Sequence, residues 1–199
     1  MLNLIRYNMN FNDLTALIKR RKTTYASDFT DEVISKKTIE SIVANALWAP
    51  THKLTQPWRF IVLGGNHKQE LGRFMAEYYR KKYTEEEFSN ERYEETKTYT
   101  ENATLLGLVF QPSKSAQLPE WEEIAAISSA VQNMWLSCTA LNIGSYWDTS
   151  EATMKYTERI ALKENEKFLG IFLMGYPKEN IQLGNRRRKP LSKKLTWEN

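Results

Sequence analysis

Residues 49–60 read APTHKLTQPWRF and decide the fold, because a predicted helix ends in this stretch and a predicted strand begins there. Apolar residues at helical spacing over residues 35–47 stop at the first proline. A β-rich run over residues 58–63 follows the second proline and ends at a pair of glycines. The polar residues between the two prolines are therefore held at both ends, which is typical of loops with functional side chains. This loop presents the imidazole of His52 and the ammonium of Lys53.

The rest of the chain alternates long helical patterns with a small number of strand patterns. Apolar periodicity predicts a helix capped by Asn12 and ending in residues 20–22, and further helices over residues 66–82, 119–144 and 151–161. Strands are predicted at residues 104–110, 145–147 and 167–176. The charged run 84–99 is predicted as a helix or loop with a solvated face. Because no repeat or linker divides the chain, we expect one α+β domain over residues 1–199.

Composition excludes several kinds of chemistry. The chain has 199 residues, a net charge of +4 and a single cysteine, Cys138, so an internal disulfide and a cysteine-based metal site are excluded. His52 and His67 are the only histidines, and we expect no metal site. Residues 1–10 show no export signal, and no apolar stretch approaches the ~18 residues that a membrane span needs. We therefore expect a cytoplasmic protein.

Two basic clusters lie near opposite ends of the chain, at residues 20–22 and 186–189. Guanidinium forks and nearby hydroxyls suit the oxygens of a phosphate-bearing cofactor. Each cluster alone is more typical of solvated surface charge than of a binding site. Nucleic acid is the competing partner, but the basic runs lack the interleaved aromatic residues of single-strand binders.

Motifs for other kinds of catalysis are missing from the sequence. It contains no GxGxxG after a strand, no GxxxxGK[ST] phosphate loop and no GxSxG elbow. Cys138 lies within an apolar helical pattern and is expected to be buried and inert. The chemistry is therefore expected to come from an organic cofactor. The segment NIGSYWDTS, residues 142–150, forms a second helix-to-strand junction, where Trp147 suits either a ligand site or the core.

Four segments in one order now indicate a relationship: RRKTT, APTHKLTQPWRF, NIGSYWD and RRRKPL. With them the chain resembles the nitroreductase family of FMN-dependent oxidoreductases over residues 14–197. The resemblance implies an α+β fold whose central, mainly antiparallel sheet is flanked by helices. It also implies a homodimer that exchanges C-terminal tails and holds one FMN in each of two interface pockets.

The resemblance assigns cofactor contacts to a mixed set of basic, aromatic and polar residues: Arg20, Arg21, Lys22, Thr24, Trp48, His52, Lys53, Trp147, Asp148, Thr149, Arg186 and Arg188. In the subgroup with an APxHK loop it places the nicotinamide nucleotide near Ser137, Cys138, Thr139, Ala140, Leu141 and Asn142. The sequence departs from the family pattern at Lys22, where serine is usual, and at Tyr25, where a further arginine is common.

The implied reaction passes electrons from NAD(P)H through FMN to a small organic acceptor, such as a nitroaromatic compound or a quinone, in a ping-pong cycle. The cofactor supplies the redox chemistry, so no acid, base or nucleophile is required to stand out. Two alternatives stay open: a flavin-binding protein of the same fold with little turnover, and a basic nucleic-acid-binding domain. We expect a homodimer without nucleic-acid, membrane or metal partners.

Overall fold

A four-stranded antiparallel sheet lies at the centre of the computed structural model, which describes residues 10–179 and 186–198. The strands are β1 (Trp58–Leu63), β2 (Thr104–Phe110), β3 (Gly144–Asp148) and β4 (Lys167–Gly175). They lie in the sheet in the order β1-β2-β4-β3. The expected α+β class with an antiparallel sheet is confirmed.

Six α-helices surround this sheet within the described residues. They are α1 (Phe11–Arg20), α2 (Lys36–Ala46), α3 (His67–Lys82), α4 (Asn90–Thr98), α5 (Glu120–Ala140) and α6 (Glu151–Lys155). Short 3-10 turns occur at Ala26–Asp28, His52–Leu54, Tyr156–Arg159 and Leu191–Lys193. None of these α-helices is long and apolar enough to cross a membrane. Residues 1–9, on which the expectation about an export signal rests, lie outside the described part of the chain.

Three helix boundaries differ from the sequence prediction. The helix predicted over residues 119–144 ends at Ala140, because Asn142 adopts a positive φ of 56° that closes the helix end, and Gly144 begins β3. Asn10, not Asn12, caps α1, because its side chain accepts the Asp13 N–H at 2.9 Å and so satisfies a helix donor that lacks an internal partner. The α-helix predicted to continue to residue 161 ends at Lys155 and tightens into a 3-10 turn. This tighter turn holds the Tyr156 ring fully buried in the core.

Successive residues of β2 point to opposite faces of the sheet, so the fold has two apolar cores. On one face Leu106 and Leu108 pack with the buried residues of α2 and α5. On the other face Leu105 and Val109 pack with residues of α3 and with Tyr156. By contrast, α1 has no buried residue, although it ends beside the cleft described below.

An ion pair joins the sheet edge to the loop that precedes β4. Arg59 on β1 donates to both carboxylate oxygens of Glu166, at 2.8 and 2.5 Å, and also to the carbonyl of Ala161 at 3.1 Å. The Glu166 side chain is 1% exposed. Hydrogen bonding from Arg59 lowers the pKa of Glu166 below its ordinary value, against the opposing effect of burial.

We predict that Glu166→Gln destabilises the protein by about 1.5–3 kcal/mol at pH 7, because it weakens a charge-assisted, bidentate interaction. Since the folded-state pKa of Glu166 is lowered, its stabilisation is complete above about pH 5 and is lost as the pH falls through the folded-state value. Denaturant unfolding at several pH values measures both effects.

The exposed neighbour Glu164 provides the control, because Glu164→Gln removes the same charge from the same loop. We expect this control to unfold like the wild type. A stability gap between Glu166→Gln and wild type that stays constant from pH 7 to pH 3 would contradict the role assigned to the ion pair.

Candidate functional site

The C-terminal end of α5 and the end of α1 meet at a cleft of about 250 Å³. Arg20 joins the two helices, since its guanidinium donates to the Thr139 carbonyl at 2.9 Å and satisfies an end group of α5. We call this cleft the Thr24 cleft after its buried threonine. Its lining residues are Arg20, Lys22, Thr24, Thr139, Asn142, Ile143, Gly144 and Pro177.

Gly144 allows the segment after α1 to lie directly on the start of β3. A Cβ atom at position 144 would lie 2.9 Å from the Cβ of Thr24 and 2.9 Å from the ring of Phe29, closer than ordinary packing permits. With glycine there, the Thr24 N–H donates to the Ser145 carbonyl at 3.3 Å. This close approach forms one wall of the cleft.

The structure brings the two basic clusters together, although they lie at opposite ends of the sequence. Arg186 donates to the carbonyl of Arg21 at 2.6 Å and also to that of Lys19, and so ties the C-terminal tail to the end of α1. Arg188 donates to carbonyls of its own tail, at 3.3 and 3.2 Å. We define the cation cluster as Arg20, Arg21, Lys22, Arg186 and Arg188.

The cation cluster has an excess of positive charge. The Arg21 guanidinium lies over the Trp135 ring, 4.7 Å from its centroid. Burial, together with the charges of Arg186 and Arg188, lowers the pKa of Arg21 from its ordinary value. No carboxylate of residues 10–179 or 186–198 forms an ion pair with a member of the cluster. An anion in the cleft would relieve this repulsion.

A second group of predicted site residues lies near the other end of α5. The His52 Nδ1 atom is 2.6 Å from a carboxylate oxygen of Glu122, and Lys53 donates to the Ala116 carbonyl at 3.1 Å. Glu122 and Thr139 are seventeen residues apart on α5, or about 25 Å at the rise of an α-helix. Within one chain, the loop that contains His52 and the cation cluster are therefore well separated.

We refer to residues 51–56 as the His52 turn. Three of its non-glycine residues have a positive φ: Lys53 at 51°, Leu54 at 55° and Gln56 at 46°. Such conformations are costly for these residue types and persist only where the surroundings hold them. Thr51 contributes, because its hydroxyl accepts the Gln56 N–H at 3.1 Å. The rigid loop predicted here thus includes a strained 3-10 turn.

Trp48 lies beyond the C-terminal end of α2 with its side chain in solvent. It is 86% exposed, and its neighbour Leu47 is also exposed. Large exposed apolar side chains that adjoin one another are typical of surfaces that a partner or ligand covers.

The residues at the end of β3 stabilise the fold through hydrogen bonds. The indole N–H of Trp147 donates to the Leu169 carbonyl at 2.7 Å. The Asp148 carboxylate accepts from the Ser150 N–H at 2.7 Å and from the Thr153 hydroxyl at 2.8 Å, so it stabilises the start of α6. Thr149, which lies between Asp148 and Ser150, is exposed. The cofactor contacts assigned to Trp147, Asp148 and Thr149 stay predictions.

The predicted nucleotide segment at the end of α5 divides into buried and accessible residues. Cys138 is fully buried, and burial raises the pKa of its thiol to about 12, so its side chain belongs to the core. Ser137 accepts a hydrogen bond from Asn45 at 2.9 Å. Thr139 and Asn142 line the Thr24 cleft, whereas Ala140 and Leu141 are exposed.

Two contacts of the candidate site residues were not predicted from the sequence: the contact of His52 with Glu122 and the bonds of Arg186 to the end of α1. Glu122 is a first-turn helix acid, a common feature that does not indicate His52 as its partner. The bonds from Arg186 to the end of α1 span more than 160 residues of sequence. Within the described residues, no group of three or more His, Cys, Asp or Glu side chains is arranged to hold a metal ion.

Comparison with known proteins identifies the family. Residues 18–176 match the model of the Nitroreductase family. The chain is 28% identical over 174 residues to the Bacillus subtilis protein named "Putative NAD(P)H nitroreductase YfhC", covering 84% of this chain and 86% of that protein.

Solved structures show the same fold. A nitroreductase-like family protein from Bacillus cereus superposes with a TM-score of 0.75 at 21% identity, over 95% of this chain and 97% of that one. A Desulfovibrio desulfuricans protein described as a nitroreductase in complex with FMN gives a TM-score of 0.69 at 24% identity, over 96% and 99% of the two chains. Because the family model matches most of the chain and the fold agrees, this protein belongs to the nitroreductase family.

Proposed function

We propose that this protein is an FMN-dependent oxidoreductase that takes electrons from NAD(P)H and passes them to a small organic acceptor. The observation that supports this function best is the cation cluster beside the Thr24 cleft, which forms no ion pair with a carboxylate of the described residues. The names of the relatives agree with it, since one is called an NAD(P)H nitroreductase and another binds FMN.

The donors of the cation cluster fit the phosphate of FMN. A phosphate dianion needs several N–H or O–H donors, and guanidinium groups offer paired donors in a plane. Lys22 lines the cleft. Burial lowers the pKa of Arg21 and the charge of Arg188 lowers it further, so both cations belong to the positive charge beside the cleft. Arg20 and Arg186 hold the ends of α5 and α1 through carbonyl oxygens, and thereby position the backbone around this anion site.

FMN, when bound, supplies a ring that accepts a hydride from NAD(P)H and returns electrons to an acceptor. The residues of this chain would hold the phosphate, orient the ring and exclude water. We propose that reductant and acceptor use the same cleft in turn, which gives ping-pong kinetics. Nitroaromatic compounds and quinones are the acceptor classes that we propose.

We further propose that the active protein is a homodimer. Single chains leave large apolar side chains in solvent near both candidate regions, namely Leu47, Trp48, Leu191, Leu195 and Trp197. The His52 turn and the cation cluster lie about 25 Å apart along α5. A second copy would bring its own His52 turn to this chain's cleft and cover these apolar residues.

The first prediction tests the activity itself. Purified protein should be yellow, its released chromophore should be FMN, and NADH or NADPH should bleach the flavin absorbance anaerobically. A quinone or nitroaromatic compound should then restore the colour. Bound FMN that neither nucleotide reduces would favour the low-turnover alternative, and a colourless protein that takes up no added FMN would contradict the proposal.

The second prediction concerns the phosphate. Arg188→Ala should raise the Kd for FMN by about 10- to 100-fold, because it removes one charged partner worth about 1.5–3 kcal/mol. Flavin fluorescence titration of the apoprotein measures this Kd. Lys36→Ala is the matched control, since it removes one positive charge at an exposed position on α2. Equal Kd values for Arg188→Ala and Lys36→Ala would rule out a phosphate contact at Arg188.

The third prediction concerns assembly. A chain truncated after Lys178 should be monomeric or insoluble, because it loses Leu191, Leu195 and Trp197. Light scattering after size exclusion measures the mass. Truncation also removes Arg186 and Arg188, so the full-length double variant R186A/R188A is the control: it should lose FMN affinity and stay dimeric. A dimeric truncated chain would contradict tail exchange.

A further inference from the structure

The His52 imidazole is held by a carboxylate on one side and exposed on the other. Its Nδ1 atom lies 2.6 Å from the Glu122 carboxylate, and the two side chains are 56% and 25% exposed. Because a carboxylate only accepts hydrogen bonds, this contact places the proton of the neutral ring on Nδ1. The Nε2 atom forms no hydrogen bond with any residue in the described ranges.

The backbone around this imidazole is also restrained. Lys53, next to His52, has a φ of 51° and is tied through its ammonium to the Ala116 carbonyl at 3.1 Å. Thr51 bonds both Thr55 and Gln56 across the turn. Strained residues that several bonds hold in place are concentrated at sites where the geometry is used. The His52 turn therefore has the rigidity that a proton-transfer group requires.

The other charged side chains near His52 either bind partners other than the imidazole or lie in the exposed loop before α5. Glu120 binds Lys167 at 2.5 Å, and buried Glu123 accepts the Ser113 N–H at 3.3 Å. Lys114 lies in the exposed loop before α5, and Lys53 is bound to a carbonyl. Among the described residues, Glu122 is thus the carboxylate that contacts the imidazole.

We propose that Glu122 is a positioning residue that holds His52 as the proton donor in acceptor reduction; this rests on the proposed function. An imidazole whose Nδ1–H is held by a carboxylate gains and loses a proton at Nε2 without turning. A quinone becomes a hydroquinone by gaining one hydride from the reduced cofactor and one proton. The imidazolium form of His52, with its Nδ1–H on Glu122, supplies that proton from Nε2 and becomes the neutral ring, and a proton taken up from water then restores the imidazolium.

The first test uses the apoprotein and needs no activity. The chain has two histidines, and His67, bound to the Tyr156 hydroxyl at 2.9 Å, is an internal reference. Imidazole nitrogen-15 shifts at alkaline pH should show His52 as the Nδ1–H tautomer. Glu122→Ala should move it toward the Nε2–H tautomer, and Glu122→Gln, whose amide oxygen accepts the same N–H, should restore it.

Glu120→Ala is the matched control for these spectra, because it removes a carboxylate from the same first turn of α5 without touching the imidazole. It should leave both histidines unchanged. An identical His52 tautomer in wild type and Glu122→Ala, with the fold intact by the His67 signal, would overturn the positioning role.

The second test separates proton donation from electron transfer. The FMN-loaded protein is reduced with NAD(P)H and mixed in a stopped-flow instrument with benzoquinone, which takes up protons, or with ferricyanide, which takes up only an electron. His52→Gln should slow reoxidation by benzoquinone about 100-fold or more, and Glu122→Ala about 10- to 100-fold. Reoxidation by ferricyanide should match wild type in both variants.

The comparison of the two acceptors is a readout that a purely structural change would not alter. Equal slowing with both acceptors, or no slowing with either, would overturn the proposal. Wild-type protein that binds no FMN would instead refute the proposed function, and the tautomer measurement would still decide whether Glu122 positions His52.

Discussion

The packing of α5 against one face of the sheet is the constraint on which both candidate regions depend. Its buried residues, including Ile127 and Met134, lie in the core between the sheet and α2, and this packing holds the helix in one position. One end holds the His52 turn through Glu122, and the other holds Arg20 through the Thr139 carbonyl. Any shift of α5 would move both groups together, because the same rigid element positions each of them.

Periodicity predicted this sheet and its helices because burial on a face repeats at fixed spacing along the sequence. It failed at helix ends that local contacts decide. Asn10, and not Asn12, caps α1, and α6 ends early at the turn where Tyr156 is buried. The candidate site shows the same limit. Residue types identified the basic clusters, but the pairing of His52 with Glu122 depends on tertiary packing that no sequence spacing encodes.

The cation cluster is compatible with a folded chain because two helix ends meet beside it. The C-terminal carbonyls of α1 and α5 are partially negative and accept hydrogen bonds from Arg186 and Arg20. Burial and, after it, the charges of Arg186 and Arg188 lower the pKa of Arg21, and these bonds offset part of that repulsion. The same arrangement thus serves two purposes: it keeps the cations close without an ion pair to a carboxylate of the described residues, and it leaves their remaining donors for the proposed anion.

The absence of buried residues in α1 has a consequence for how the helix behaves. Arg20 and Arg186 connect its end to the rest of the chain, through polar bonds. If the proposed anion site binds FMN, its occupancy and the docking of α1 are linked equilibria in which each favours the other. The amide protons of α1 should then exchange slowly when the site is filled and faster when it is empty, while those of the sheet should exchange at one rate in both states.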